Sequence, residues 1–142
     1  MNILVPTDFS DNAANAFRYA QAVVKDLGGE ITLLNIVHMQ GLPSATFGIG
    51  KFMEIVEETI QKESHKALDE IIATADKGLM VRKAVELTYN IQECLKIYIQ
   101  QEKFDLVIAG TKGATGLKKV FIGSNAAGMI ENLPVPVIVI PK

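Results

Sequence analysis

Short runs rich in Ile, Leu and Val alternate along the chain with longer stretches of helical periodicity. A strand, a helix and a further strand close most readily into a right-handed parallel crossover, so this alternation implies a layered α/β fold with a parallel sheet. The first run, Ile3-Leu4-Val5, stops at Pro6. Ser10 is placed to cap the segment in which Ala13, Ala16, Phe17, Ala20, Val24 and Leu27 fall at helical spacing, and Gly28-Gly29 ends it. Ile31 to Val37 is almost continuously apolar, as a strand covered on both faces should be. His38 to Gly50, with three glycines and a proline, reads as a long loop.

From Lys51 to about Asp76 the pattern predicts a second helix with Phe52, Val56, Ile60, Ala67, Leu68, Ile71 and Ala75 on its buried stripe. Leu79 to Glu86, interrupted by Arg82 and Lys83, reads as an edge strand. Ile91, Cys94, Leu95 and Tyr98 mark a third helix, Phe104 to Ala109 a buried strand, Ser124 to Asn132 a short fourth helix and Val135 to Ile140 a last strand. No internal repeat or low-complexity linker breaks this order. With 142 residues and 15.4 kDa, one domain over 1–142 is expected.

Composition narrows the class further. Apolar residues at 49% and charged residues at 21% fit a globular chain and exclude a disordered tail or a disulfide-stapled mini-protein. Fourteen basic against sixteen acidic residues give a formal charge of −2, which argues against a nucleic-acid or membrane-surface partner. An anion must therefore be held by local geometry. Cys94 is the only cysteine, so an internal disulfide is impossible; at helical spacing it reads as a core residue. His38 and His65 have no Cys or His at ligand spacing, which speaks against a protein-built metal site. No leader-like start and no apolar run approaching ~18 residues is visible, and the expected location is cytoplasmic.

Gly110-Thr111-Lys112-Gly113-Ala114-Thr115-Gly116 follows a buried strand, and Gly123-Ser124 opens a helix. Glycines at a strand end allow close backbone approach, and helix-start N–H groups carry the partial positive charge that suits phosphate. Such turns also serve simply to leave a buried strand, and for any one glycine that reading is favoured. Neither Gly-x4-Gly-Lys-Ser/Thr nor Gly-x-Gly-x-x-Gly occurs. What does occur is Gly-x2-Gly-x9-Gly-Ser, on Gly110, Gly113, Gly123 and Ser124.

That spacing resembles the ATP-binding signature of the universal stress protein family. Val5-Pro6-Thr7-Asp8-Phe9-Ser10 is similar to the family's opening strand and loop, Leu33 to Val37 to its second strand, and Pro134 to Ile140 to its closing strand. The resemblance implies a Rossmann-like three-layer sandwich, a five-stranded parallel sheet in order 3-2-1-4-5 with helices on both faces. In that order a crevice opens where the winding reverses, at the carboxyl ends of strands 1 and 4, where Asp8 and Gly110 lie. It further implies that Asp8 approaches a ribose, that the Ile36 backbone meets adenine, that Gly110 faces the ribose, and that Gly113, Gly123 and Ser124 hold phosphates. Pro6, Thr7, Thr111, Lys112, Gly116 and Asn125 flank these and complete the implied set. Lys112 stands where the family often has His or Arg, and Val85 to Asn90 lacks the family's usual Gly and Pro.

The implied ligand is ATP, with ADP or AMP as alternatives, bringing Mg or Mn through its phosphates. A regulatory or signalling nucleotide binder is the leading reading. No nucleophile with its base is identifiable from spacing, so a slow ATP-hydrolysing or phosphotransferring enzyme stands as an alternative, and a non-nucleotide interaction module as another. The resemblance also implies a homodimer through the last strand, Val137 to Ile140, whose apolar edge invites pairing.

Overall fold

The computed structural model describes residues 1–40, 50–111 and 122–141. Most of the loop expected over His38 to Gly50, together with Lys112, Gly113, Gly116, Lys118 and Lys119, lies outside the described residues. The elements run β1 (Asn2–Thr7), α1 (Asp11–Leu27), β2 (Glu30–His38), α2 (Gly50–Ile72), β3 (Met80–Thr88), α3 (Ile91–Glu102), β4 (Leu106–Gly110), α4 (Ser124–Asn132) and β5 (Val137–Ile140). The strands form one parallel sheet in the order β3-β2-β1-β4-β5. The expected fold class and strand order are therefore those observed.

Alternation along β1 builds the layers, since successive strand residues face opposite sides of a sheet. Ile3 and Val5 join Ile31, Leu33 and Ile108 beneath Ala16, Phe17, Ala20 and Val24 of α1 and Leu68 of α2. Leu4 joins Leu34, Val107 and Ala109 beneath Leu95 and Ile99 of α3 and Met129 of α4. Ile3, Leu4, Ile31, Leu33 and Leu34 are completely buried, and at roughly 1.5–3 kcal/mol per aliphatic side chain the two central strands anchor both cores.

Local chemistry sets the element ends. The Ser10 hydroxyl accepts from Ala13 N at 3.3 Å and starts α1, and the Asn90 side chain accepts from Glu93 N at 3.2 Å and starts α3. Gly29 has φ 131°, and a Cβ there would stand 2.0 Å from the Met1 carbonyl oxygen, so only glycine turns α1 into β2.

Three expectations are corrected. β1 does not stop at Pro6 but runs to Thr7, with Pro6 in register with Leu34 of β2. Toward β4 the paired register covers only Ile3–Leu106 and Leu4–Val107, ahead of the residue that has no amide to donate. On α2, Phe52 is 59% exposed and Met53 is buried in its place; between Met53 and Ser64 no residue of the helix is buried, so the N-terminal half barely reaches the sheet. Cys94 is half-buried rather than a core residue, because α3 buries Leu95 and Ile99 and leaves Cys94 at the flank.

Candidate functional site

The β1–α1 turn is fixed by its own side chains. Thr7 Oγ1 accepts from Phe9 N at 3.1 Å and Asp8 Oδ1 from Ser10 N at 3.1 Å. These two bonds fold the chain back on itself with Phe9 at φ 65°, a left-handed conformation rarely taken by an aromatic residue. From β2, buried Asn35 donates through Nδ2 to the Thr7 carbonyl at 2.8 Å and ties the end of β1 to its neighbour. The Asp8 carboxylate is exposed at the mouth of the gap between β1 and β4.

Two backbone bonds bring the halves of the glycine motif together. Thr111 N donates to the Ile140 carbonyl at 3.0 Å, and the Thr111 carbonyl accepts from Gly123 N at 2.6 Å. Thr111 is thus pinned between the end of β5 and the start of α4. Gly123 is the N-cap of α4 with φ −63° and ψ 157°, ordinary extended backbone, so its glycine is not required by a positive φ. Having no side chain, it leaves α4 without the side-chain cap that Ser10 gives α1 and Asn90 gives α3. The first intrahelical bond is donated by Ala127 N to the Gly123 carbonyl at 2.9 Å, so the N–H groups of Ser124, Asn125 and Ala126 have no carbonyl one turn back within α4.

Gly110 also serves a contact within the protein. A Cβ at this position would stand 2.8 Å from the carbonyl carbon and oxygen of Asn12, so the glycine lets α1 lie directly on the end of β4. Its backbone still lines the gap.

These elements enclose a cavity of about 210 Å³ between the carboxyl ends of β1 and β4. Pro6, Thr7, Asp8, Ile36, Gly110, Thr111, Gly123, Ser124 and Asn125 all line it, so every expected site residue within the described part of the chain meets at one place. The cavity has two characters. Leu34, Ile36, Ile91 and Met129 give it an apolar end against the α3–α4 face, while Thr7, Asp8, Thr111, Ser124 and the start of α4 give it a polar end carrying the positive pole of a helix dipole. Sequence reading missed Ala13, Leu34, Ile91, Ala109, Ala126 and Met129. Leu34 was signalled by its parity with Ile36 on β2 and Ile91 by following the Asn90 cap, but only the topology carries α3 to the crevice.

Asp8 is the one carboxylate among the described lining residues. No group of three or more His, Cys, Asp or Glu side chains among the described residues is placed to share a metal ion. A divalent ion here would need most of its oxygens from a ligand.

A parallel sheet whose winding reverses over a cavity, with the start of a helix that has no side-chain cap beside it, defines the doubly wound α/β class. Comparison makes the class specific. The model of the Universal stress protein family matches residues 1–141, and the chain belongs to that family. It is 28% identical over 144 positions to universal stress protein MJ0531 of Methanocaldococcus jannaschii, covering 99% of this chain and 81% of that one. The solved structure of protein MJ0577, from the same organism, superposes with a TM-score of 0.86 at 23% identity and covers 99% of this chain and 95% of its own. The structure of a universal stress protein of Archaeoglobus fulgidus in complex with dAMP gives a TM-score of 0.61 at 16% identity, covering 99% and 97%.

Proposed function

We propose that this universal stress protein binds an adenine nucleotide, ATP foremost, in the crevice between β1 and β4, and that the bound and free forms carry a regulatory signal in the cytoplasmic stress response. One observation carries the reading: residues from two loops distant in sequence converge on one cavity whose polar end is the uncapped start of α4. In this reading the base lies against Ile36, Leu34 and Ile91, and the Asp8 carboxylate accepts from ribose hydroxyls. The phosphates meet Thr111, the Ser124 hydroxyl, Asn125 and the N–H groups of the first turn of α4. Lys112, Gly113 and Gly116 would complete the phosphate loop. Mg or Mn would enter on the phosphates, with Asp8 the carboxylate within reach. The dAMP complex of the Archaeoglobus fulgidus protein supports a ligand of this chemical class. In the same proposal the chain is a single domain over 1–142 and forms a homodimer through β5.

The test is calorimetric titration of ATP into nucleotide-stripped wild type, Gly123→Asp and Ser124→Ala. The backbone of Gly123 suits any N-cap residue, so an aspartate there keeps the fold, accepts from the first turn of α4 and repels phosphate. Losing two hydrogen bonds to charged oxygens costs about 3–6 kcal/mol, a fall in affinity of roughly a hundredfold or more. Ser124→Ala keeps the backbone donors and should lose less. Undiminished ATP affinity in folded Gly123→Asp would overturn the placement of the phosphates, and absence of binding in wild type would favour the interaction-module reading. Release of ADP or phosphate during prolonged incubation would favour the enzyme reading.

A further inference from the structure

A further cavity, about 310 Å³, lies away from the crevice, between α3 and the outer edge of β3. Glu86, Leu87 and Thr88, three successive strand residues, all line it. Successive side chains of a strand point to opposite faces, so three in a row border one groove only where the strand's edge backbone is part of the wall. Among the described residues β3 is the terminal strand of the sheet, with no strand beside its outer amide and carbonyl groups. Across the groove α3 presents Glu93, Ile97 and Tyr98, with Ile97 44% exposed.

The groove carries one sign of charge. Glu86 and Glu93 are its ionisable carboxylates, no Lys or Arg lines it, and neither carboxylate forms a salt bridge among the described residues. The two cations of β3 are engaged elsewhere, Arg82 with Glu30 and Lys83 with Asp69. Burial, and after it the charge of Glu86, pushes the Cys94 thiol up from its ordinary value; burial, then Glu102 and Glu86, push the Tyr98 phenol up, with Arg82 acting against them.

We infer that this groove is a docking site for an extended basic segment of a partner protein, a strand alternating Lys or Arg with apolar residues. Its backbone adds to the edge of β3, its cations point to the α3 face toward Glu86 and Glu93, and its apolar side chains point to the other face beside Leu87. A second copy of this chain is disfavoured as occupant, because joining two β3 edges brings the same carboxylates together. Glu86 and Glu93 do not line the crevice, so the inference is independent of the nucleotide reading.

The probe is a fluorescein-labelled peptide of alternating lysine and valine, followed by anisotropy at low ionic strength, with a glutamate–valine peptide as control. Wild type should bind the basic peptide and not the acidic one. The double variant Glu86→Gln/Glu93→Gln should bind about tenfold more weakly, as loss of two partly exposed ion pairs implies. Hydrogen exchange at 86–88 should slow when the basic peptide is bound. Equal affinity in the double variant, unchanged exchange in β3, or no binding to wild type overturns the inference. Self-association of the peptide-free protein that the double variant abolishes would assign the groove to a second copy and likewise overturn it.

Discussion

Replacing Gly110 by alanine separates two reasons for a glycine at the end of β4. If the residue serves only a ligand, Gly110→Ala leaves stability unchanged or raises it by about 0.4–1 kcal/mol, because alanine restricts the unfolded chain and no positive φ forbids it here. The contacts predict the opposite. The new Cβ would lie 2.8 Å from the carbonyl carbon and oxygen of Asn12 and 2.9 Å from its Cβ. Ordinary carbon contacts begin near 3.5 Å, so the start of α1 must retreat by roughly 0.7 Å. It cannot retreat freely, since Ser10 caps it, Ala14 N donates to the Ser10 carbonyl at 3.0 Å, and Ala13 and Ala16 are buried under it. Overpacking of this kind costs about 1–3 kcal/mol, which outweighs the entropic gain and leaves a net loss of about 1–2 kcal/mol. With a urea m-value of about 1–3 kcal/mol per molar for a small protein, the unfolding midpoint should fall by roughly 0.3–2 M. Ligand affinity should fall as well, because the same shift moves the turn that holds Thr7 and Asp8. A midpoint equal to or above that of wild type would refute the steric argument and return Gly110 to the ligand alone.

β5 forms the other edge of the sheet, and Ile138 is 36% exposed upon it, so Ile138→Lys should convert the proposed homodimer to a folded monomer in sedimentation; a wild type that is monomeric at micromolar concentration removes the proposal. Cys94 and Tyr98 are both held above their ordinary values of 9.0 and 10.0, chiefly by burial and then by nearby carboxylates. The unfolded chain therefore releases these protons first, so their contribution to stability is complete below about pH 9 and is lost as pH rises through the folded values. Urea midpoints across about pH 8–11 should decline, and Cys94→Ala should delay the onset; a midpoint that rises over this interval contradicts the assignment.

Most of the fold was legible because each helix or strand announces itself locally. α4 was read at Ser124 to Asn132 and is found over those residues, and Ser10 was read as the cap it proves to be. β2 and β4 were visible as apolar runs because both faces of the sheet are covered. The failures arose where a neighbour decides. Periodicity placed Phe52 inward, yet the start of α2 has too little beneath it to bury a second large residue beside Met53. A proline normally ends a central strand, but at Pro6 the pairing with β2 continues to Thr7 while that with β4 does not. The apolar end of the crevice was half-read, because Ile91 and Met129 belong to helices whose approach to β1 is set by the crossovers and not by local sequence.

Residues at positive φ occur at both ends of the sheet, Phe9 at the carboxyl end and Lys103 and Gly29 at the amino end, so strain alone does not mark the proposed site. Close approach to a glycine is not itself the marker, since Gly29 against Met1 is tighter than Gly110 against Asn12 and lies at the opposite end of β1. What the carboxyl end adds is a central ladder that ends short at Pro6, an aromatic residue at positive φ on the next turn, and a helix whose cap position holds no side chain. The left-handed residue costs about 1–2 kcal/mol, and Gly at the N-cap forgoes a few tenths that Asn, Asp or Ser would add. The hydrogen bonds from Phe9 and Ser10 N–H groups to the Thr7 and Asp8 side chains offset the first cost, while nothing in α4 itself offsets the second. A fold under selection for stability alone would fill that cap. A cap position without a side chain beside the reversal of the sheet is what the proposed binding of an anion would use.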